Sequence, residues 1–364
     1  MILLLSSLAH GADEPTVGGY AEVRGQYIAG VDDDPWQTVE RLRPETTVPL
    51  HERFALSTTV EAAFVQGLDA TDYSEVGNYL SVERLYLDAY LPFADARVGR
   101  QAIHWGSAFI VNPTDPFPEI LVTQPWRERV GVNAARVTIP IAERHSFQGV
   151  VGMDDSFENA RAAGRATANF LKTDFSLVGA YRQQTEDGFV GTDIRGTAGV
   201  GFWLEGAWHL DVDPYEEVAV GIDYSFPLLD GLIVNAQYYR NGSGAVDVLA
   251  DPLALLEPEY DPDDPFAPVF HGRDYAMASA ALVVNPAFTG SIVVTQNLGD
   301  GSAGAVPTIV WTPNGWLEVS GSATVPFSTW GDGGELHPPD EILGVDVSGL
   351  VPDATFTLWT RVSL

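Results

Sequence analysis

The chain has 364 residues, no cysteine and a formal net charge of −31, with a mean hydropathy near zero. The acidity excludes nucleic acid as a partner, and the absence of cysteine excludes disulfides, thiol chemistry and Cys-based metal sites. No apolar run approaches the roughly 20 residues that a membrane-spanning helix requires, and the frequent aromatic residues favour strands.

The first residues resemble the end of a secretory signal. A short apolar stretch, 2–8, precedes small residues and then an acidic segment, so cleavage is expected after Gly11 or Ala12. The positively charged start of a signal is missing, which leaves a simple apolar tail as the alternative. We predict a signal peptide at 1–12 and a single exported domain at 13–364.

From Val17 onward, apolar and polar residues alternate in runs of about ten residues, joined by two kinds of connection. The long connections are rich in Asp, Glu and Gly, and they include 241–271 and 328–353. The short ones read PLHERF, LPFADAR, IPIAERHS, FPLLDGL, NPAFTGS and TPNGWL. Short turns at one end and long loops at the other are typical of an outer-membrane β-barrel.

Each run has one apolar and one polar face. In the run that begins at Phe54, Leu56 and Val60 share the face of Phe54, whereas Thr59 and Glu61 point the other way. A soluble β-sandwich would show the same alternation and is the alternative, whereas a propeller would require internal repeats that are absent.

Parity constrains the number of strands. Both ends of such a barrel face the periplasm, so the number must be even, whereas a direct count of the runs is odd. Dividing the run 192–210 at 199–201, into strands around 193–198 and 202–210, removes the conflict. The sequence thus predicts an all-β fold, a single closed transmembrane antiparallel barrel of about 18 strands with short periplasmic turns and long extracellular loops.

If the polar faces point inward, charge is concentrated on the first four strands. A charged wall opposite the milder polar residues of later strands would orient polar solutes without binding them tightly. Alternatively, these charges pair with one another and simply stiffen one side of the barrel. The residues predicted to line the pore at its constriction are Glu22, Arg24, Arg41, Arg43, Glu61, Arg84, Tyr86 and Asp88.

The segment 98–132 begins as a strand and then departs from the alternation. It contains Pro113, Pro116, Pro118 and Pro125, and too many apolar residues for a solvated loop. Because a loop with an apolar face must bury it, we predict one inward-folded loop, 104–128, resting on the lumen wall. The sequence does not decide whether this loop is fixed or gated.

Specific roles follow for this loop. We expect Asp115 to lie at the constriction, as the partner of Arg41, Arg43 and Arg84. The residues predicted to anchor the loop to the wall are Arg100, Gln101 and Trp105.

Within this segment, Gly99-Arg100-Gln101, Trp105-Gly106 and Asn112-Pro113 with Asp115 and Phe117 match a known pattern. It resembles the GRQ…WG…NPxDxF signature of uncharacterised outer-membrane porin-like barrels related to the alginate-export and phosphate-selective porins. The resemblance implies a closed barrel, eighteen-stranded as in alginate exporters, with an inward loop after the GRQ strand. The strongly basic lumen of an anion exporter is not evident, so no ligand residues are transferred from that family.

These patterns predict a porin-like channel in the outer membrane of a Gram-negative bacterium, for passive diffusion of small polar or charged solutes, with or without selectivity. The alternative is a plugged barrel that serves as a structural or adhesion platform through its long acidic loops. No enzymatic activity is expected, because His104 is accompanied by neither a nucleophile elbow nor an HExxH motif.

The expected partners are the lipid bilayer, lipopolysaccharide, a small-molecule permeant and further copies of the chain, with no nucleic acid. No cofactor or metal is expected, and Ca²⁺ at the acidic loops is the alternative to a solvated anionic rim. These acidic residues are Asp32, Asp33, Asp34, Asp154, Asp155, Asp211, Asp213, Asp261, Asp263 and Asp264.

Overall fold

The computed structural model describes residues 14–30, 35–67, 78–117, 128–129, 131–153, 159–184, 186–211, 213–246, 270–331, 333–337, 341–342, 345–346 and 353–364. The predicted signal peptide, 1–12, lies outside these ranges, as do parts of the long loops. Within these ranges, the regular secondary-structure elements are all strands, and no helix is long and apolar enough to cross a membrane.

The strands, numbered along the chain, have the following bounds. They are β1 Thr16–Ala29, β2 Trp36–His51, β3 Phe54–Gly67, β4 Tyr79–Tyr90, β5 Asp95–Gln101, β6 Val132–Ala142, β7 His145–Met153, β8 Ala160–Phe170, β9 Thr173–Arg182, β10 Asp187–Thr197, β11 Gly201–His209, β12 Tyr215–Phe226, β13 Gly231–Asn241, β14 Asp274–Asn285, β15 Phe288–Asn297, β16 Ser302–Asn314, β17 Leu317–Ser328, β18 Glu341–Ile342, β19 Val345–Asp346 and β20 Ala354–Ser363.

Among the described strands, 18 form one closed antiparallel sheet. Each of β1–β16 pairs with the next strand, β17 pairs with β20, and β20 closes the barrel on β1. The short strands β18 and β19 pair only with each other. The closed 18-stranded barrel predicted from the sequence is therefore confirmed.

The division of the ambiguous run is confirmed as well. β10 ends at Thr197 and β11 begins at Gly201, so the chain reverses at the glycines where the sequence was divided. Gly199 has a φ of 81°, a left-handed conformation that glycine adopts without steric cost. β10 begins at Asp187, earlier than expected, because glycines 188 and 191 obscure its alternation.

The two kinds of connection lie at opposite ends of the barrel, called here the short-turn end and the long-loop end. β2 and β3 are separated by two residues at the short-turn end, as are β8 and β9. At the long-loop end, β5 is followed by 102–131 and β13 by 242–273, although much of the latter lies outside the described residues.

The outer face of the barrel is apolar. Leu177 is 69% exposed and Leu358 is 61% exposed. Contact between water and so many apolar side chains on the outer face would be unfavourable. Exposed aromatic residues lie near both ends, as in the girdles of membrane barrels. Those near the short-turn end include Phe54, Phe170, Phe226 and Trp311, and those near the long-loop end include Trp36, Phe64, Tyr181, Trp208 and Phe356.

The buried apolar residues lie inside the barrel, where loop residues pack on the inner face of the sheet. One cluster comprises Ile103, Trp105, Phe117, Val132, Ala134, Val150, Val178, Phe189 and Ala207. The other comprises Ala108, Ile110, Val111, Trp203, Ala219, Tyr239, Tyr275 and Met277. Both clusters are built on the segment that follows β5, which therefore organises the interior.

Candidate functional site in the barrel interior

The segment 102–117, called here the inner loop, crosses the interior and rests on the wall formed by β6–β14. Its apolar side chains belong to the two interior clusters, and its polar groups bond to inward-facing residues of that wall. This placement agrees with the inward fold predicted from the sequence. The continuation 118–127 lies outside the described residues.

A fully buried carboxylate, that of Glu205, forms hydrogen bonds with the middle of the inner loop. Glu205 on β11 accepts hydrogen bonds from the backbone N–H groups of Ser107 and Ala108, each at 2.5 Å. Its other oxygen accepts from Thr114, at 3.3 Å from the backbone N and 2.8 Å from Oγ1. One side chain thus joins two separate points of the loop to the wall.

Further residues of the wall also bond to the inner loop. Asp193 on β10 accepts a hydrogen bond from Ser107 Oγ and is paired with Arg165 at 2.6 Å. Gln237 on β13 accepts from the backbone N–H of Phe109 at 2.7 Å. Arg161 on β8 donates to the carbonyl of Pro116. The described part of the loop is therefore held along its whole length.

Asp115 has different partners from those expected. Its carboxylate, 2% exposed, lies 3.1 Å from both the Arg129 guanidinium and His104 Nδ1, and it accepts from the backbone N–H of Phe117. The expected pairing with the arginines of the first strands is thus wrong. Arg129 also donates to the carbonyls of Ile103 and Phe117, so it ties the two ends of the inner loop together.

The three predicted anchors occupy different positions. Trp105, 2% exposed, donates from its indole N–H to Gln148 on β7 and so bonds the loop to the wall. Gln101 donates to the carbonyl of Ala134 at 3.0 Å and thereby joins β5 to β6. Arg100 is opposite Leu85 in the sheet, and therefore on the outer face of β5.

A network of charges occupies the opposite wall, on β1–β3 and β20. Glu22 is 2% exposed and lies within 3.7 Å of Arg24, 3.4 Å of Arg41 and 2.7 Å of Arg361. Arg361 also lies over the ring of Tyr20, 4.0 Å from its centroid. Several guanidinium groups thus compensate one buried carboxylate.

The same network continues toward β4. Glu61 lies 3.3 Å from Arg41 and 3.2 Å from Arg43, and it accepts from Tyr79 at 2.6 Å. Arg43 is also 2.8 Å from Glu128. Glu61 therefore pairs with the arginines of β2, and not with Arg84. The pairs that Glu61 forms with Arg41 and Arg43 are nearly excluded from solvent, which strengthens them, whereas the Glu128 side chain is 42% exposed.

A third group of inward residues lies on β4–β6. Asp88 holds Arg97 through two hydrogen bonds of 2.6 and 3.0 Å, and the Arg97 guanidinium lies 3.9 Å from the centre of the Tyr86 ring. Arg136 is opposite Arg97 and makes no hydrogen bond or ion pair with any described residue. Arg84 donates to backbone carbonyls, at 3.2 and 2.5 Å. Neither Arg84 nor Arg136 thus forms an ion pair with a carboxylate of the described residues.

The mouth at the long-loop end contains another buried carboxylate. Glu335, in the loop after β17, accepts from the backbone N–H groups of His271 and Gly272, at 2.8 and 3.1 Å, and from Asn297 at 3.0 Å. It also accepts a hydrogen bond from the hydroxyl of Tyr275. Burial raises the pKa of the Glu335 carboxyl above its ordinary value. Glu335 therefore connects its own loop to the loop before β14 and to the ends of β14 and β15.

The most important of these residues were not predicted from the sequence, namely Glu205, Asp193, Arg129 and Glu335. A signal existed for Glu205, since it is the only acidic or basic residue, apart from a histidine, on β11 and belongs to the inward face. In the described part of the chain, no group of three or more His, Asp or Glu residues could hold a metal ion. The acidic residues 32–34, 154–155 and 261–264 lie outside that part.

No family model matches the sequence, and no curated protein is significantly similar to it. Solved structures share its fold. Wzi, an outer membrane protein involved in group 1 capsule assembly in Escherichia coli and described as a carbohydrate-binding β-barrel, is 8% identical, with a TM-score of 0.58 over 94% of this chain and 84% of Wzi.

Two Pseudomonas aeruginosa proteins give similar values. OccK11 (OpdR) is 9% identical, with a TM-score of 0.58 over 96% of this chain and 95% of its own. OccK5 (OpdH) is 11% identical, with a TM-score of 0.57 over 96% and 98%. The chain therefore has the fold of outer-membrane β-barrels.

Proposed function

We propose that the chain is a channel of the Gram-negative outer membrane, through which small polar or charged solutes diffuse passively. One observation carries the proposal: a closed barrel with an apolar outer face and a charged, polar inner face. Closure leaves no strand edge unpaired in lipid, and a polar inner face suits water. The likeness in fold to Wzi, an outer membrane protein, supports this location.

Solvent-accessible space beside the inner loop supports the path. The side chain of His104 is 51% exposed although its neighbours Ile103 and Trp105 are buried. Arg195, on the inner face of β10, is 49% exposed at its side chain and is paired with Asp223 at 3.1 Å. We infer that solutes pass between the inner loop and the charged wall of β1–β4.

Planar-bilayer recording of the purified, refolded chain tests the channel. We expect reproducible stepwise conductance, and heat-denatured protein in the same detergent is the control. A correctly folded barrel, identified by heat-modifiable migration on gels, that gives no reproducible current would overturn the proposal. That outcome would favour the adhesion or structural platform instead.

Epitope tags test the orientation. A tag within 241–271 should be accessible on intact cells, and a tag in the turn between His51 and Phe54 should become accessible only after the outer membrane is permeabilised. The reverse pattern would invert the proposed topology.

The proposal includes no catalytic step and no cofactor, and it places lipopolysaccharide around the long-loop end. It also includes an oligomer of identical chains, for which the molecular mass in a native detergent complex is the test. Binding of Ca²⁺ to the acidic loops stays a prediction, to be measured by calcium titration of the folded barrel.

A further inference from the structure

The backbone N–H groups of the inner loop require hydrogen-bond acceptors. It lies inside the barrel without a strand partner, so its N–H groups need other acceptors, because an unsatisfied buried N–H is costly. At Ser107, Ala108 and Thr114 the acceptor is the same side chain, Glu205, whose exposure is 0%.

The loop is shaped to reach this carboxylate. Gly106 has a φ of 89°, which favours glycine. A Cβ atom added there would lie 2.6 Å from Asn112 Oδ1 and 2.7 Å from Glu205 Oε2, closer than real Cβ atoms approach. The glycine of the WG pair and the asparagine of the NP pair therefore meet over Glu205, where the loop bends back on itself.

Other wall residues contribute less. Among the described residues, Glu205 accepts from three residues of the inner loop, whereas Gln237 bonds to two of them, Phe109 and Val111. Asp193 and Arg195 each bond to one, Ser107. Arg165 already compensates Asp193, at 2.6 Å. The bonds of Glu205 reach two points of the loop and leave it little freedom to slide.

We propose that Glu205 is a positioning residue that fixes the inner loop against the β10–β13 wall and thereby sets the open cross-section of the barrel. The effect on cross-section rests on the proposed channel function, whereas the effect on loop position does not. With Glu205 present, the inner loop keeps one fixed position inside the barrel. Loss of the Glu205 carboxylate makes the loop mobile.

Thiol labelling tests the loop position without any current measurement. The chain has no cysteine, so Ala108→Cys introduces a single thiol, at a position that is 8% exposed and bonded to Glu205. In the folded protein we expect slow labelling by a charged maleimide. Gln183→Cys, at an exposed turn of the long-loop end, provides the fast reference rate.

Combining Ala108→Cys with Glu205→Ala should accelerate labelling by at least about tenfold, the order of effect expected when several hydrogen bonds are lost together. Glu205→Gln keeps one acceptor oxygen and should give an intermediate rate. Glu217→Gln is the matched control, because Glu217 also faces inward but bonds to His209 and Tyr239 rather than to the loop.

The outcomes are distinct. Equal labelling rates with and without Glu205, in barrels that retain heat-modifiable migration, would overturn the proposal. If Glu205→Ala does not fold, the Glu205→Gln rate decides: a rate equal to that of the Glu217→Gln control overturns the proposal. Bilayer recordings of the same variants should show larger and noisier steps for Glu205→Ala. A complete absence of current in every variant would count against the channel alone.

Discussion

Asp193 and Glu205 are directly opposite each other on β10 and β11, and both carboxylates bond to Ser107 of the inner loop. Neighbouring acids on one face of a sheet repel each other and are unfavourable without compensation. Here the compensation comes from Arg165 and from N–H and O–H groups of the loop. The wall and the loop therefore depend on each other.

Deleting 107–125 should raise the single-channel conductance, because residues 107–117 occupy the β6–β14 side of the barrel interior. The measurement is the step size in planar bilayers, compared with the unmodified chain at the same salt concentration. Unchanged steps from a folded barrel would show that the inner loop does not limit the current.

Arg136→Gln should shift the ion selectivity toward cations, since this inward guanidinium forms no ion pair with a carboxylate of the described residues. A unit charge about 4 Å from a passing ion in water changes its local concentration by up to about fivefold, and salt screening reduces this effect. The reversal potential in a KCl gradient measures the shift. Lys172→Gln, in an exposed turn at the short-turn end, removes the same charge outside the lumen and should leave selectivity unchanged.

Arg41→Ala should lower the free energy of unfolding, because it removes a cation that lies within 3.4 Å of both Glu22 and Glu61. Breaking a buried ion pair costs about 3–5 kcal/mol, and the remaining Arg24, Arg43 and Arg361 reduce this value. Urea titration in detergent gives the difference. Arg136→Gln serves again as the control, with an expected change within about 0.5 kcal/mol.

The hydrogen-bonded loop at Glu335 should become less stable as the pH rises. Because burial places its pKa above the ordinary 4.5, Glu335 contributes fully to stability below that pH and loses its contribution as the pH passes the raised pKa. Hydrogen exchange at His271 and Gly272, corrected for intrinsic rates, should report this trend. Glu335→Gln should remove the pH dependence; a variant that keeps it would assign the titration to another group.

The fold could be predicted because strand alternation and turn residues are local. The division at 199–201 required only parity and a pair of glycines. The partners of the inner loop could not be predicted, since contacts such as Ser107–Glu205 join residues 98 positions apart, and alternation does not indicate how far a loop reaches across a lumen. For the same reason, Asp115 was assigned to the wrong arginines.

One signal would have located the resting place of the loop. The inward faces of the later strands carry Val178, Ala207, Ala219 and Met277, which are unsuited to a water-filled lumen. Apolar residues at inward positions require a cover from the chain itself. The inner loop therefore packs on the wall of the later strands, where the sequence predicted milder polar residues. The charged wall of β1–β4 faces the open space inside the barrel.

The seam between β1 and β20 also constrains the order of folding. Glu22 and Arg361, which meet there at 2.7 Å, are separated by 339 positions along the chain. Contacts so distant in sequence carry the largest entropic cost of loop closure and form late. Until β20 pairs with β1, Glu22 has Arg24 and Arg41 beside it but lacks Arg361, so closing the ring completes the compensation of this acid. A barrel arrested before ring closure would expose the unpaired edges of β1 and β20 and would leave Glu22 without its nearest cation.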